Sequence, residues 1–280
     1  MRSFILFFCI LTTSSFGLVF PSQLQNNEIL DRLENVEKVQ EDPRKWLFVI
    51  GVEDYDSIDN VVYSEASAKT FVKLMQKVVG INERHTYTMI GDHATAGAIK
   101  SELANLLNNV KEGDTIYFYY SGHGIPVIPS KEPYLLPKDM TPAIIALEED
   151  FKLQNVYKKL ASSKAGKVIA IIDSCFSGAT DGKSLFKGVA ATRLVAKKVQ
   201  VNKAKMAIIT AGQDKEFSNM YKKKSHRLFS YFVMDAILKG KTDIKSLYQH
   251  TLDNVKGISF GLGDQFKQTP MIQGNEKLVF

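Results

Sequence analysis

Cys175 stands in Asp173-Ser174-Cys175-Phe176-Ser177-Gly178, directly after the apolar run Val168-Ile169-Ala170-Ile171-Ile172. His123 stands in Ser121-Gly122-His123-Gly124, directly after Thr115-Ile116-Tyr117-Phe118-Tyr119-Tyr120. A thiol attacks as its thiolate, and a neighbouring imidazole can take the thiol proton and later return it to a leaving amine. Gly122 and Gly124 let the backbone close in around the histidine. The amides of Gly124 and Cys175 are candidate oxyanion donors, since such a site needs two N–H groups aimed at one point. Singly, Cys175 also fits a buried core thiol, and His123 a hydrogen-bonded strand-end histidine. Together they read as a nucleophile and its base, each at the C-terminal end of a strand-like run.

The elements that must position them alternate. Strand patterns cover 46–52, 85–90, 115–120, 167–172 and 206–210. Helical spacing covers 65–79, about 95–109 with Thr95 as cap, about 148–161, 228–239 and 243–256. Residues 125–142 hold five of the eight prolines and read as loop, and 278–280 read as a last short strand. Residues 179–204, rich in Gly, Ala and Lys, read as a mobile loop. Strands that are apolar throughout and alternate with helices predict an α/β fold whose mostly parallel sheet is covered on both faces. In such folds sites form at the carboxyl ends of strands, where both His123 and Cys175 fall.

Composition bounds the class. Apolar residues make up 45% of the 280 and charged residues 24%, which excludes a disordered chain and a multi-span membrane protein. The net charge of +6 admits an anionic partner, but the basic residues are spread and lack interleaved aromatics, so no nucleic-acid partner is expected. Met1-Arg2-Ser3 is short and positive, residues 4–11 are apolar, and residues 12–17 are small and polar. That is the layout of a signal peptide over 1–17, cut after Gly17. The run is too short to span a bilayer, and Cys9 lies inside it, which fits a lipoprotein anchor poorly. The expectation is an exported protein, periplasmic or secreted. Removal of the leader leaves Cys175 as the one thiol, unable to form an internal disulfide and so either inert in the core or kept for reactivity. Residues 18–43 form a linker in which Leu30, Leu33, Val36 and Val39 suit one short helix ended at Asp42-Pro43. Residues 44–280 form the main domain.

Tyr119-Tyr120-Ser121-Gly122-His123-Gly124 and Ile172-Asp173-Ser174-Cys175-Phe176-Ser177-Gly178 resemble the two catalytic motifs of the caspase/metacaspase superfamily of cysteine peptidases. Between them Tyr134-Leu135-Leu136-Pro137-Lys138-Asp139 is similar to a connecting motif of bacterial caspase-like chains. The resemblance covers about 44–280. It implies a three-layer α/β/α sandwich, Cys175 as nucleophile, His123 as base and acid, and a polypeptide substrate. It also implies that Asp173, two residues before the nucleophile, lines a pocket selecting Lys or Arg before the cut bond. The second acid of that pocket usually sits in an Asn-Asp-Ala sequence, where this chain has Glu65-Ala66-Ser67-Ala68. Ser67 takes its place, so Glu65 or Asp54 is the expected substitute, from a segment, 47–68, with five acids and no Lys or Arg.

Seven basic residues and no acid lie between Lys183 and Lys205, and the resemblance implies self-cleavage in this loop, 179–205. His85, His93, His226 and His250 lack metal-ligand spacing, so no metal site is expected. Many metacaspases use calcium, but no EF-hand loop is present and no ligands are assigned. Gly261-Leu262-Gly263 reads as a turn, and Tyr221-Lys222-Lys223-Lys224 as a solvated run. The alternatives are a transpeptidase, in which an amine resolves the acyl-enzyme, a catalytically silent binding module, or envelope or nucleic-acid binding through the basic loop. The sequence leaves the oligomeric state open.

Overall fold

The computed structural model describes residues 28–177, 179–180, 183–184, 195–213 and 216–280. The expected leader over 1–17, Gly178, and most of the loop suited to self-cleavage, including Lys187 and Arg193, lie outside these residues. In chain order the elements are α1 (Glu28–Glu34), β1 (Lys45–Gly51), α2 (Ser64–Val78), β2 (Thr86–Ile90), α3 (Ala96–Asn109), β3 (Thr115–Ser121), β4 (Gly124–Val127) and β5 (Glu132–Leu135). There follow α4 (Leu153–Ser162), β6 (Lys167–Asp173), β7 (Ala179–Thr180), β8 (Lys183–Ser184), β9 (Met206–Thr210), β10 (Met220–Tyr221), β11 (His226–Arg227), α5 (Leu228–Leu238), α6 (Ile244–Gly261) and β12 (Met271–Gly274).

Six strands pair in the order β12-β9-β6-β3-β1-β2. All neighbours are parallel except β12, which closes one edge antiparallel to β9. Side chains alternate across the sheet with period two, and both faces are apolar. Phe48, Ile50, Ile116, Phe118, Val168, Ala170 and Ile208 pack with α3 and α4 on one face. Leu47, Val49, Tyr117, Tyr119, Ile169, Ile171 and Ile209 pack with α1, α2, α5 and α6 on the other. These are the three layers the sequence predicts: each central strand is buried on both sides, so its whole length reads as apolar.

The differences are local. The proline-rich stretch carries a hairpin, β4 with β5, because Pro126 and Pro133 face each other in a two-stranded ladder that needs few backbone donors. The helix expected to start at 148 begins at Leu153, after two short 3₁₀ turns over 145–147 and 149–151. The N-terminal helix stops at Glu34, before Val36 and Val39. The last sheet strand is Met271–Gly274, while Val279 makes only an isolated bridge to Asp243. Among the described residues no helix is long and apolar enough to cross a membrane.

Candidate active site

β3 and β6 run side by side in register, with Ser121 opposite Asp173. Both chains continue two residues past that pair, to His123 and to Cys175. The same sheet edge therefore holds both side chains, although 51 residues lie between them in sequence. They line one cavity of about 850 Å³. Cys175 is half-buried and forms no disulfide.

His123 is fixed on all sides. Its amide donates to the Tyr55 hydroxyl at 2.7 Å, and its carbonyl accepts from the Tyr120 hydroxyl at 2.6 Å. The Tyr55 ring lies against the imidazole, with centroids 4.8 Å apart. The ring Nε2 sits 2.7 Å from the main-chain oxygen of Asp59. A carbonyl oxygen only accepts, so Nε2 carries the proton and Nδ1 the lone pair of the neutral ring. Burial pushes the imidazole down to about 4, and the Arg227 guanidinium pushes the same way, against the Asp59 bond. The histidine is therefore neutral and ready to accept a proton at physiological pH. Burial raises Tyr55 and Tyr120 well above the usual phenol range, so both hydroxyls keep their protons.

The two glycines beside His123 answer to space. A Cβ on Gly122 would fall 2.6 Å from the Tyr55 hydroxyl and 2.9 Å from that of Tyr120. One on Gly124 would fall 2.5 Å from the Phe176 ring and 2.7 Å from the Cys175 carbonyl. The backbone of Gly124 thus lies against that of Cys175.

The loop after β1 gives the cavity Asn60, Val61 and Val62. The segment around β10 and β11 gives Ser218, Asn219, Met220, Lys222, Lys223 and Arg227. The end of α6 and the turn after it give Ile258, Leu262, Gln265 and Phe266. None of the three expected specificity carboxylates lines it. Asp173 is fully buried behind the wall, accepting from the Ser218 hydroxyl and from the Ser230 hydroxyl and amide. Asp54 accepts from Asn60, and Glu65 pairs with Lys69 at 2.8 Å. Ser67 is buried and accepts from the Arg227 amide at 2.9 Å.

Arg227 is the charge that sequence reasoning missed. It is buried, its terminal nitrogens donate to the carbonyls of Val62 and Ser218, and its Nε has no hydrogen-bond partner. The available signal is its position: an arginine directly before the mostly apolar helix α5, whose residues 228–237 are all buried, has no solvated helix face to join. Lys222 and Lys223 are exposed, as the reading of a solvated run expects, and also line this cavity.

A family model described as a caspase domain matches residues 44–279. The chain belongs to the caspase family. Caspase domains are cysteine peptidases, so the site at the ends of β3 and β6 belongs to a peptidase fold. Many solved structures share that fold, and two illustrate it. Protein GSU0716 from Geobacter sulfurreducens superposes with a TM-score of 0.59 at 18% identity, over 82% of this chain and 93% of that one. The Drosophila initiator caspase Dronc superposes with a TM-score of 0.52 at 12% identity, over 84% of this chain and 82% of that one. No curated protein matches the chain.

Proposed function

We propose that this caspase domain is a cysteine endopeptidase in which His123 and Cys175 act as a dyad. The observation that carries the reading is their place on one cavity, at adjacent strand ends, with the imidazole neutral and its proton held at Nε2. Nδ1 of His123 takes the thiol proton as Sγ of Cys175 bonds to the carbonyl carbon of the scissile amide. The carbonyl oxygen becomes an oxyanion, which the amides of Gly124 and Cys175 hold. Collapse breaks the C–N bond, and His123 gives its proton to the leaving amine. Water then attacks the thioester, losing a proton to His123. The new acid leaves, and the proton returns to Sγ.

The residue before the cut bond is decided by charge. A Lys or Arg pocket needs a carboxylate at its wall, and Asp173 stands behind Ser218 with its oxygens already bonded. Arg227, with Lys222 and Lys223, makes the wall cationic. This supports an acidic side chain before the cut over the Lys or Arg expected from the sequence. The self-cleavage expected over 179–205 separates the two, because this stretch has seven Lys and Arg but one acid, Asp181.

A peptide library varied at that position, run with wild type and Cys175→Ala, tests the proposal. Cleavage after Asp or Glu that disappears with Cys175→Ala supports it, and cleavage after Lys or Arg restores the Asp173 reading. No cleavage of any peptide favours a silent binding module.

A further inference from the structure

The hairpin of β10 and β11 carries much of the cavity wall, including Met220, Lys222, Lys223 and Arg227. It has little strength of its own. Each strand contributes two paired residues, and the turn between them holds Ser225 in the left-handed region at φ 52°. An isolated two-stranded pair is marginal in water even when longer. Its position therefore depends on what it leans on. Tyr221 packs edge-on against Tyr231 at 5.2 Å and stacks on Phe232 at 6.0 Å, both from α5.

Ser67 and Thr70 of α2 hold β11 through the Arg227 amide and the His226 ring. A further support, on the turn of the hairpin, is α1, which lies before residue 44, where the caspase match begins. Glu28 ion-pairs with Lys224 in the hairpin turn. One helical turn on, Arg32 donates to Asp235 of α5 at 2.6 Å. Ile29 and Leu33 are buried against the same layer, and Lys77 of α2 donates to the Leu33 carbonyl. The helix thus has an apolar anchor on the domain and a charged contact on the hairpin. The anchor fixes where the contact stands.

We propose that α1 is a brace for the substrate wall, with Glu28 a positioning residue that acts through Lys224 on the hairpin carrying Lys222, Lys223 and Arg227. The proposal rests on the peptidase reading of the cavity. It makes a segment outside the caspase domain a determinant of substrate affinity, while His123 and Cys175, on the sheet edge, are unaffected.

The experiment compares full-length wild type, Glu28→Lys, Lys224→Glu and the double swap. Two readouts are taken: KM and kcat on a cleaved peptide, and amide hydrogen exchange over 219–227. Each single variant is expected to raise KM about fivefold with kcat unchanged, the scale of one half-buried ion pair lost and replaced by repulsion. Exchange over 219–227 is expected to accelerate, and the double swap to restore both readouts. Unchanged KM and exchange in the single variants overturns the brace, as does an effect that the double swap does not rescue. If wild type cleaves no peptide, the peptidase reading fails by itself, and the exchange measurement with its rescue decides the brace alone.

Discussion

The Nε2 of His123 lies 2.7 Å from the main-chain oxygen of Asp59, so the neutral ring donates there and keeps its lone pair at Nδ1. Since burial holds the imidazole near 4, the resting site pairs a thiol with a neutral base. The acid limb of kcat/KM is therefore expected near 4, not near 6.5. A pH profile on a neutral peptide checks this, and an acid limb at 6.5 counts against the buried base.

The same shift has a sign for stability. His123 titrates lower folded than unfolded, so between 6.5 and about 4 the unfolded chain binds more protons. Stability rises with pH across that window and is lost as acid is added below 6.5, by about 3 kcal/mol once the shift is fully expressed. His226, also lowered by burial, acts in the same direction. Urea midpoints at pH 7 and pH 5 measure the loss, and His123→Gln is expected to flatten it.

Tyr55→Phe removes the acceptor of the His123 amide while leaving the ring contact. One buried hydrogen bond of about 1 kcal/mol is lost, so kcat/KM is expected to fall about tenfold with thiol labelling of Cys175 retained. Gly122→Ala places a methyl against both phenols and is expected to destabilise the fold by about 1–3 kcal/mol, read from denaturant melts.

Cys175→Ala is expected to abolish turnover and self-cleavage. His123→Ala is expected to lower peptidase activity by about 10³-fold or more and to slow alkylation of Cys175, because a base that takes the thiol proton is lost. Alkylation at the wild-type rate in His123→Ala would show that the two side chains do not act together.

Arg227→Gln is expected to remove any preference for an acidic residue before the cut, with cleavage of neutral sequences retained; a preference that survives assigns it elsewhere. Asp173→Ala leaves the Ser218 and Ser230 hydroxyls without their acceptor and is expected to cost about 1–3 kcal/mol of stability. A Lys or Arg pocket predicts instead that this variant loses basic-site cleavage at unchanged stability.

The strands and the sheet edge were legible in the sequence. Runs such as 168–172 are apolar at every position because both faces are covered, and they end where the reactive side chains begin. The N-terminal helix was also legible, from Leu30 and Leu33, though not its end: Val36 and Val39 continue the spacing after the helix has stopped. The hairpin of β4 and β5 was not legible, because its prolines signal loop while their ladder positions tolerate a missing donor.

His123 and Cys175 could be placed at one sheet edge from sequence alone because each follows the end of an apolar strand run; the structure adds the register, with Ser121 opposite Asp173 two residues before each. The charge of the pocket could not. Asp173 is close to Cys175 in sequence, but strand alternation and the serines of later segments turn it behind the wall. Arg227 is distant in sequence and arrives through the packing of α5 and its hairpin against the sheet. Local pattern determines which residues end a strand. Which charges face a cavity depends on how separate elements pack, and that is a property of the tertiary structure.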